Sequence, residues 1–235
     1  MGASFFQINN LNAWYQPDKP VLSDFSIELK EHEAVGLIGL NGAGKTTFLK
    51  IVSGLHEKFH SEGIWMHGSL VNFRDDDFKN RRYTVFAEDH SFQYFTFREY
   101  LSYVFSAYRK KMQNTDSLIQ GFHFEEYADA LLKDLSTGNK KKAFLITAFA
   151  LKPELLLLDE PVNGLDFQST EFLYQLIAGY KEYGTVLFSS HILESITLTS
   201  DRVLVLENGR IRQSFESGRI DAAKIREVLR YENDV

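Results

Sequence analysis

The residues most suited to chemistry lie in the glycine-rich stretch GLNGAGKTT, residues 39–47. The stretch fits the pattern G-x-x-x-x-G-K-[ST], in which Lys45 and Thr46 are the last two positions. Glycines allow successive backbone N–H groups to converge on a phosphate without Cβ clashes. An apolar run precedes the stretch and helical spacing follows it, which is the context that the pattern requires. The stretch therefore predicts a binding site for a nucleoside triphosphate.

Each residue of this loop has an expected part in phosphate binding. Lys45 is expected to reach the β- and γ-phosphates, and the Thr46 hydroxyl to ligate Mg²⁺. Thr47 offers another donor. The residues expected to surround the phosphates are Gly39, Asn41, Gly42, Ala43 and Gly44, with Lys45, Thr46 and Thr47.

A second acidic motif, LLLLDEP (155–161), ends a predicted buried strand. Strand ends of open α/β sheets border the ligand crevice. Asp159 can hold Mg²⁺ directly or through water, and Glu160 can polarise a water for attack on the γ-phosphate. By itself such a motif could be a strand that runs out into an acidic turn. Together with the phosphate loop, it indicates a hydrolytic site.

The elements that must position these residues alternate between strands and helices, which indicates an α/β fold. Residues 90–135 have helical periodicity and few strand signals, so we expect a helical insert there. The charge run RDDDFKNRR (74–82) is interpreted as a solvated loop. Asn208-Gly209 predicts a hairpin turn. The last 20 residues are expected to form an exposed helix and a tail.

Composition excludes several classes of function. The chain has 235 residues, a net charge of −6 and no cysteine. The negative charge argues against general nucleic-acid binding, and the lack of cysteine excludes disulfides and thiolate metal sites. No signal peptide is visible, and the apolar runs are too short to cross a bilayer. We expect any association with a membrane to come through a partner.

The motifs, taken in order, resemble those of the ATP-binding cassette (ABC) ATPases. The resemblance covers almost the whole chain and rests on GLNGAGKTT, LSTGN (135–139), LLLLDEP, NGLD (163–166) and SSHIL (189–193). It implies a P-loop core with a mainly parallel sheet, an N-terminal antiparallel β subdomain and an inserted α-helical subdomain. The expected division is a core of 1–89 and 136–220, a helical subdomain of 90–135 and a C-terminal segment of 221–235.

The resemblance also implies roles for residues outside the first two motifs. Tyr15 is expected to stack on adenine, although it could be an ordinary strand aromatic. His191 is expected to contact the γ-phosphate. Glu88 lies where the family usually has a glutamine, and as a glutamate it could bind Mg²⁺ or its water. Gln93 is a rival for that position. Asp166 is expected to shape a dimer interface.

The LSTGN motif departs from the family pattern. Ser136 and Gly138 keep the hydroxyl and one glycine that would contact the γ-phosphate bound to a second cassette, but Thr137 replaces a glycine and Asn139 a glutamine. A Ser-x-Gly form followed by basic residues resembles bacterial exporter cassettes. The lysines at 140–142 could face a triphosphate, although a solvated basic face is the simpler interpretation.

The function that this resemblance implies is an ATP-hydrolysing subunit that powers an ABC transporter, with export as the expected direction. The implied cofactors are ATP and Mg²⁺. The implied partners are a transmembrane permease and a second cassette, in a homo- or heterodimer, with no direct binding of nucleic acid. The expected location is the cytoplasmic face of the cell membrane, reached through the permease. Alternatives are a non-transport ABC ATPase that acts on nucleic acid or ribosomes, and a regulatory cassette that hydrolyses poorly.

Overall fold

The computed structural model describes residues 4–230, with the exception of the Arg230 side chain. The strands are β1 (Ser4–Gln16), β2 (Lys19–Lys30), β3 (Ala34–Ile38), β4 (Phe59–His60), β5 (Gly63–Met66), β6 (Ser69–Leu70), β7 (Arg82–Val85), β8 (Leu155–Asp159), β9 (Thr185–Ser190), β10 (Arg202–Glu207) and β11 (Arg210–Glu216). The α-helices are α1 (Lys45–Val52), α2 (Asp76–Arg81), α3 (Phe97–Ala107), α4 (Asp116–Gly121), α5 (Thr137–Leu151), α6 (Phe167–Gly179), α7 (Leu193–Thr199) and α8 (Ala222–Arg230).

A six-stranded sheet in the order β11-β10-β3-β9-β8-β7 positions the chemically interesting residues. The five strands from β10 to β7 run parallel, and β11 pairs antiparallel with β10. Every residue of β3, β8 and β9 is buried, which explains their nearly continuous apolar sequence. Because β3, β8 and β9 are parallel neighbours, the segments after Ile38, Asp159 and Ser190 meet at one edge of the sheet.

A second sheet, antiparallel and in the order β2-β1-β5-β6 with β4 on β1, covers one face of the first. Helix α1 lies between the two layers, where its apolar side chains join those of both sheets in one core. Phe48 of α1 packs against Phe25 of β2 with ring centroids 4.6 Å apart. This packing holds the start of α1 in place, directly after the glycine-rich loop.

The opposite face of the parallel sheet is covered by helices in a second core. Alternate residues of β8 divide between the cores: Leu156 and Leu158 face the helices, whereas Leu155 and Leu157 face α1. The segment 90–135 contributes α3, α4 and two short 3-10 helices to the helical side. Among residues 4–230, no helix has both the length and the apolar character needed to span a membrane.

Three local predictions have different outcomes. The turn at Asn208-Gly209 is confirmed, with positive φ at both residues, between β10 and β11. The loop predicted for 74–82 is wrong, because α2 forms there around the buried side chain of Phe78, over which the Arg82 guanidinium stacks at 4.6 Å. The expected C-terminal helix forms as α8, but Ile225 is fully buried in the helical core rather than exposed. Residues 231–235, predicted as a tail, lie outside the described part.

Candidate nucleotide site

The glycine-rich loop connects β3 to α1 in a conformation that a side chain would disturb. Gly44 lies at the N-cap of α1 with φ of 109°, and a Cβ there would come within 2.6 Å of Leu22 Cδ2. A Cβ on Gly39 would lie 2.4 Å from the Leu206 carbonyl oxygen. Close packing against β2 and β10 therefore requires bare backbone at these two positions. The loop is further fixed by a hydrogen bond from the Gly209 N–H to the Ala43 carbonyl, 3.2 Å long.

Lys45 is buried at the start of α1, with its ammonium group held at the inner side of this loop. Lys45 Nζ donates to the carbonyl of Gly39 at 2.7 Å and lies 3.5 Å from Glu160 Oε1. Asn41 and Gly42, at the outer part of the loop, are exposed. An ammonium group at this place can neutralise negative charge that enters the loop at the N-terminus of α1.

Thr46 and Asp159 form a compact group of oxygen atoms beside the lysine. Thr46 Oγ1 donates to Asp159 Oδ2 at 2.9 Å, and Ser189 Oγ donates to Asp159 Oδ1 at 2.7 Å. Asp159 is only 1% exposed. A hydroxyl and a carboxylate supply the hard oxygen ligands that Mg²⁺ prefers, alongside substrate phosphates. Among residues 4–230 no cluster of three or more His, Cys, Asp or Glu could hold a metal. Mg²⁺ is usually bound by one or two carboxylates together with substrate phosphates, and the pair of Thr46 and Asp159 fits that mode.

The side chain of Glu160 contacts both Lys45 and His191. Its Oε1 faces Lys45, and its Oε2 accepts from the His191 N–H at 3.3 Å and lies 2.8 Å from His191 Nδ1. The backbone of Glu160 is left-handed, with φ of 47°. For a residue other than glycine this conformation costs about 1–2 kcal/mol, and nothing in the sequence predicted it. A carboxylate held between a lysine and a histidine is suited to accept a proton from water.

Tyr15 lies at the end of β1, close to the start of α1. Its ring is 48% exposed, and its hydroxyl is 3.4 Å from Thr47 Oγ1. On the protein side the ring packs against His56, with centroids 4.6 Å apart. An aromatic ring that is supported on one face and open on another can stack on a nucleobase.

Ser136 and Gly138 lie at the N-terminus of α5, and no hydrogen bond among the described residues joins them to the glycine-rich loop. The exposed Ser136 caps α5 by accepting from the Asn139 N–H at 3.2 Å. Gly138 packs on the backbone of Gly164, so closely that a Cβ would lie 2.2 Å from the Gly164 carbonyl oxygen. The NGLD motif and the first turn of α5 are therefore in direct contact within one chain.

The interpretation of residues 140–142 as a solvated basic face is wrong for two of the three lysines. Lys141 and Lys142 are buried, and only Lys140 is half-buried. Lys141 Nζ donates to the Glu160 carbonyl at 3.1 Å, and Lys142 Nζ lies 2.6 Å from Asp166 Oδ2. The run of charges predicted a solvent-exposed face because lysine side chains are rarely buried. Here the 160–166 segment supplies partners for two of them.

The two candidates near Mg²⁺ lie in different surroundings. Glu88 is exposed, three residues after β7, and no hydrogen bond or ion pair among the described residues joins it to Thr46 or Asp159. Gln93 is half-buried, and its carbonyl accepts from the Lys133 N–H at 2.9 Å. Glu88 thus lies nearer in the chain to the strand edge, and its role stays a prediction.

A phosphate-type loop on a parallel sheet, with a buried carboxylate pair at the same edge, defines a P-loop nucleoside triphosphatase. Within that class, the chain belongs to the family described as ABC transporter, whose profile matches residues 22–163, more than half of the chain. The chain is therefore an ATP-binding subunit of an ABC transporter and an ATPase. Subunits of this kind dimerise and work with membrane components.

Individual relatives and structures support this assignment. The chain is 35% identical over 224 residues to the ABC transporter ATP-binding protein AlbC of Bacillus subtilis (strain 168). The aligned region covers 92% of this chain and 93% of AlbC. It is 30% identical to the phosphate import ATP-binding protein PstB of Mycoplasma pneumoniae, over 88% of this chain and 67% of PstB. A solved ATP-binding subunit of an ABC transporter superposes with a TM-score of 0.83 at 27% identity, covering 97% of this chain and 95% of the other. The predicted fold class is confirmed.

Proposed function

We propose that Glu160 accepts the proton of the water that attacks the γ-phosphorus of ATP. The single observation behind this proposal is that Glu160 contacts both Lys45 and His191 at the strand edge. In the reaction the water oxygen forms a bond to the γ-phosphorus while the bond to the β–γ bridging oxygen breaks, and ADP leaves. Lys45 neutralises charge on the β- and γ-phosphates, and His191 holds the carboxylate and contacts the γ-phosphate.

Thr46 and Asp159 are the residues that would hold Mg²⁺, with Glu88 near its water ligands. The bound ion would neutralise charge on the phosphates. When nucleotide binds, the Thr46 hydroxyl would give up its hydrogen bond to Asp159, and the two side chains would together hold the ion. The remaining loop residues bind phosphate oxygens through backbone N–H groups, and Tyr15 stacks on the adenine.

We also propose that the chain divides into a core of 1–89 and 136–220, a helical subdomain of 90–135 and a C-terminal segment of 221–235.

A complete site needs a second cassette, identical or not, since Ser136 and Gly138 do not reach the loop of their own chain. The exposed Ser136 hydroxyl and the N-terminus of the 15-residue helix α5 would face the γ-phosphate on the partner cassette. The resemblance described above supports this arrangement. The contact between Gly138 and Gly164 supports the proposal that the NGLD motif, with Asp166, lies in the same interface.

Replacement of Ser136 by aspartate tests the second cassette. Aspartate caps a helix as well as serine does, but it would place a carboxylate opposite the γ-phosphate. With ATP and Mg²⁺, we expect the Glu160→Gln protein to form a dimer, measured by light scattering as a doubled mass. Adding Ser136→Asp to Glu160→Gln should prevent this dimer. Ser136→Asn, which caps without charge, is the matched control and should still allow association. Equal association of all three proteins would contradict the proposal.

We propose export as the direction of transport. The support is the Ser-x-Gly form of residues 136–138 followed by lysines, which resembles bacterial exporter cassettes, although PstB is named for import. The permease would bind at the exposed aromatic residues of the helical segment, where Tyr94 and Tyr103 are 76% and 50% exposed. We therefore propose that the cassette lies at the cytoplasmic face of the membrane, held there by the permease.

Purification from mild detergent, with a tag on this chain, tests the partner and the direction. We expect a multi-span membrane protein to co-purify, and Tyr94→Ser with Tyr103→Ser to reduce its recovery at least about tenfold, as for the loss of two anchoring aromatics. The pair Leu70→Ser and Tyr183→Ser is the control, because these side chains are 73% and 49% exposed and lie outside the helical segment. The direction is measured in vesicles that carry the transporter with the cassette on the outer face, so that the outer solution corresponds to the cytoplasm. An exporter should then move substrate into the vesicles. Release from preloaded vesicles would instead indicate import.

A further inference from the structure

The backbone of Glu160 must stay left-handed for its carboxylate to remain between Lys45 and His191. With φ of 47°, the residue turns sharply after β8. A glutamate would relax readily from this conformation unless its surroundings hold it there. The contacts of the Glu160 backbone with its neighbours therefore determine whether the turn persists.

Within the described part of the chain, three hydrogen bonds to backbone atoms of Glu160 hold the turn. Its N–H donates to Ser189 Oγ at 3.0 Å. Its carbonyl oxygen accepts from the Asn163 N–H at 3.2 Å and from Lys141 Nζ at 3.1 Å. The first two partners belong to the sheet edge and to the turn itself. Lys141, in contrast, reaches the turn from the helical side of the sheet, from the first turns of helix α5.

Lys141 is 4% exposed, which is unusual for a lysine. Burial lowers the pKa of its ammonium group, and the charges of Asp159, Glu160 and Glu88 oppose that shift. A buried amine needs a partner, and the Glu160 carbonyl is the hydrogen-bond acceptor found among the described residues. Beside it, Lys142 pairs with Asp166, so α5 and the turn form one packed unit.

We propose that Lys141 is a positioning residue, which fixes the left-handed turn of Glu160 and thereby aims its carboxylate at the nucleotide. This inference depends on the proposed role of Glu160. A displacement of about 1 Å at a reacting group can cost on the order of 100-fold in rate. Loss of the Lys141 hydrogen bond should therefore lower the rate of the chemical step without weakening ATP binding, because among the described residues Lys141 makes its hydrogen bond to the Glu160 carbonyl and none to the glycine-rich loop.

The test compares Lys141→Met with Lys110→Met in the full chain. Lys110 is the control, because its Nζ also donates to backbone carbonyls, those of Leu151 at the end of α5 and of Lys152 directly after the helix. We expect Lys141→Met to lower kcat at least about tenfold, because a displacement of about 1 Å at a reacting group can cost on the order of 100-fold. KM and the affinity for ATP should stay within about twofold. Lys110→Met should leave kcat within about twofold. Lys141→Arg, which keeps a charged donor, should recover most of the activity.

A second measurement guards against a poor fit of methionine or arginine. Lys141 lines a cavity of about 210 Å³ between the segment after β7 and the first turns of α5, so a small amine can approach its position. Ethylammonium should therefore raise the kcat of Lys141→Ala severalfold, whereas tetramethylammonium, which has no N–H donor, should not. A kcat unchanged in Lys141→Met, or an equal response to both cations, would overturn the proposal.

The Glu160→Gln variant separates this inference from the proposed function. If Glu160→Gln keeps full turnover, the role of Glu160 itself fails. If Glu160→Gln abolishes turnover but Lys141→Met does not slow it, only the role of Lys141 fails.

Discussion

Glu160→Gln is expected to lower the rate of ATP hydrolysis by about 10²–10⁴-fold, the usual contribution of a general base. Glutamine has nearly the same shape as glutamate, so it can remain between Lys45 and His191, but it cannot accept the proton of the attacking water. Because the phosphate loop is untouched, the dissociation constant for ATP should stay within about threefold. Phosphate release at saturating ATP and titration with a fluorescent ATP analogue measure the two quantities.

Glu154→Gln is the matched control for this substitution. Glu154 lies immediately before β8, at the strand end opposite Glu160, and contacts His67 at 3.0 Å and Arg81 at 3.4 Å. Both variants remove one carboxylate charge next to the same strand, so a general effect of charge would slow both. We expect Glu154→Gln to hydrolyse ATP at the parent rate. If Glu160→Gln binds ATP and still retains more than about a third of the parent turnover, another group is the base.

The parts of the site that the sequence predicted are those in which a short motif determines its own geometry. The loop 39–47 follows a buried strand and begins a helix, and close contacts with Leu206 and Leu22 require glycine at positions 39 and 44. The proximity of this loop to Asp159 also followed from general topology, since the carboxyl ends of parallel strands share an edge. The hydrogen bond between Thr46 and Asp159 agrees with that expectation.

The features that the sequence did not predict depend on contacts between distant segments. Lys141 belongs to a run of three lysines, and only the position of the Glu160 carbonyl explains why it is buried. The left-handed backbone of Glu160 has no local signal, because glutamate does not favour it. Phe78 likewise lies in a charged run whose helix forms because the adjacent core accepts one aromatic ring. A serine at position 189 was visible in the SSHIL motif, but its hydrogen bond to Asp159 was not.

The second large effect is expected for Lys45→Met, which keeps the unbranched chain of the first four side-chain atoms and removes the charge. A hydrogen bond to a charged group contributes about 1.5–3 kcal/mol, which corresponds to a loss of ATP affinity of about ten- to 150-fold. Turnover should also fall, because charge on the γ-phosphate is no longer neutralised during the reaction. Isothermal titration with ATP and Mg²⁺ measures the affinity, and phosphate release measures the turnover.

Lys50→Met provides the control, because Lys50 lies in the last turn of the same helix, α1, away from the loop. Both variants remove one lysine from α1, so a change in net charge alone would affect ATP binding equally. Lys45→Met also leaves Glu160 Oε1 without its lysine, but His191 still contacts the other carboxylate oxygen, so the fold should persist. Urea unfolding verifies this. If Lys45→Met is folded and binds ATP as tightly as Lys50→Met, the loop does not hold the phosphates through Lys45, and the proposed arrangement of the nucleotide fails at its centre.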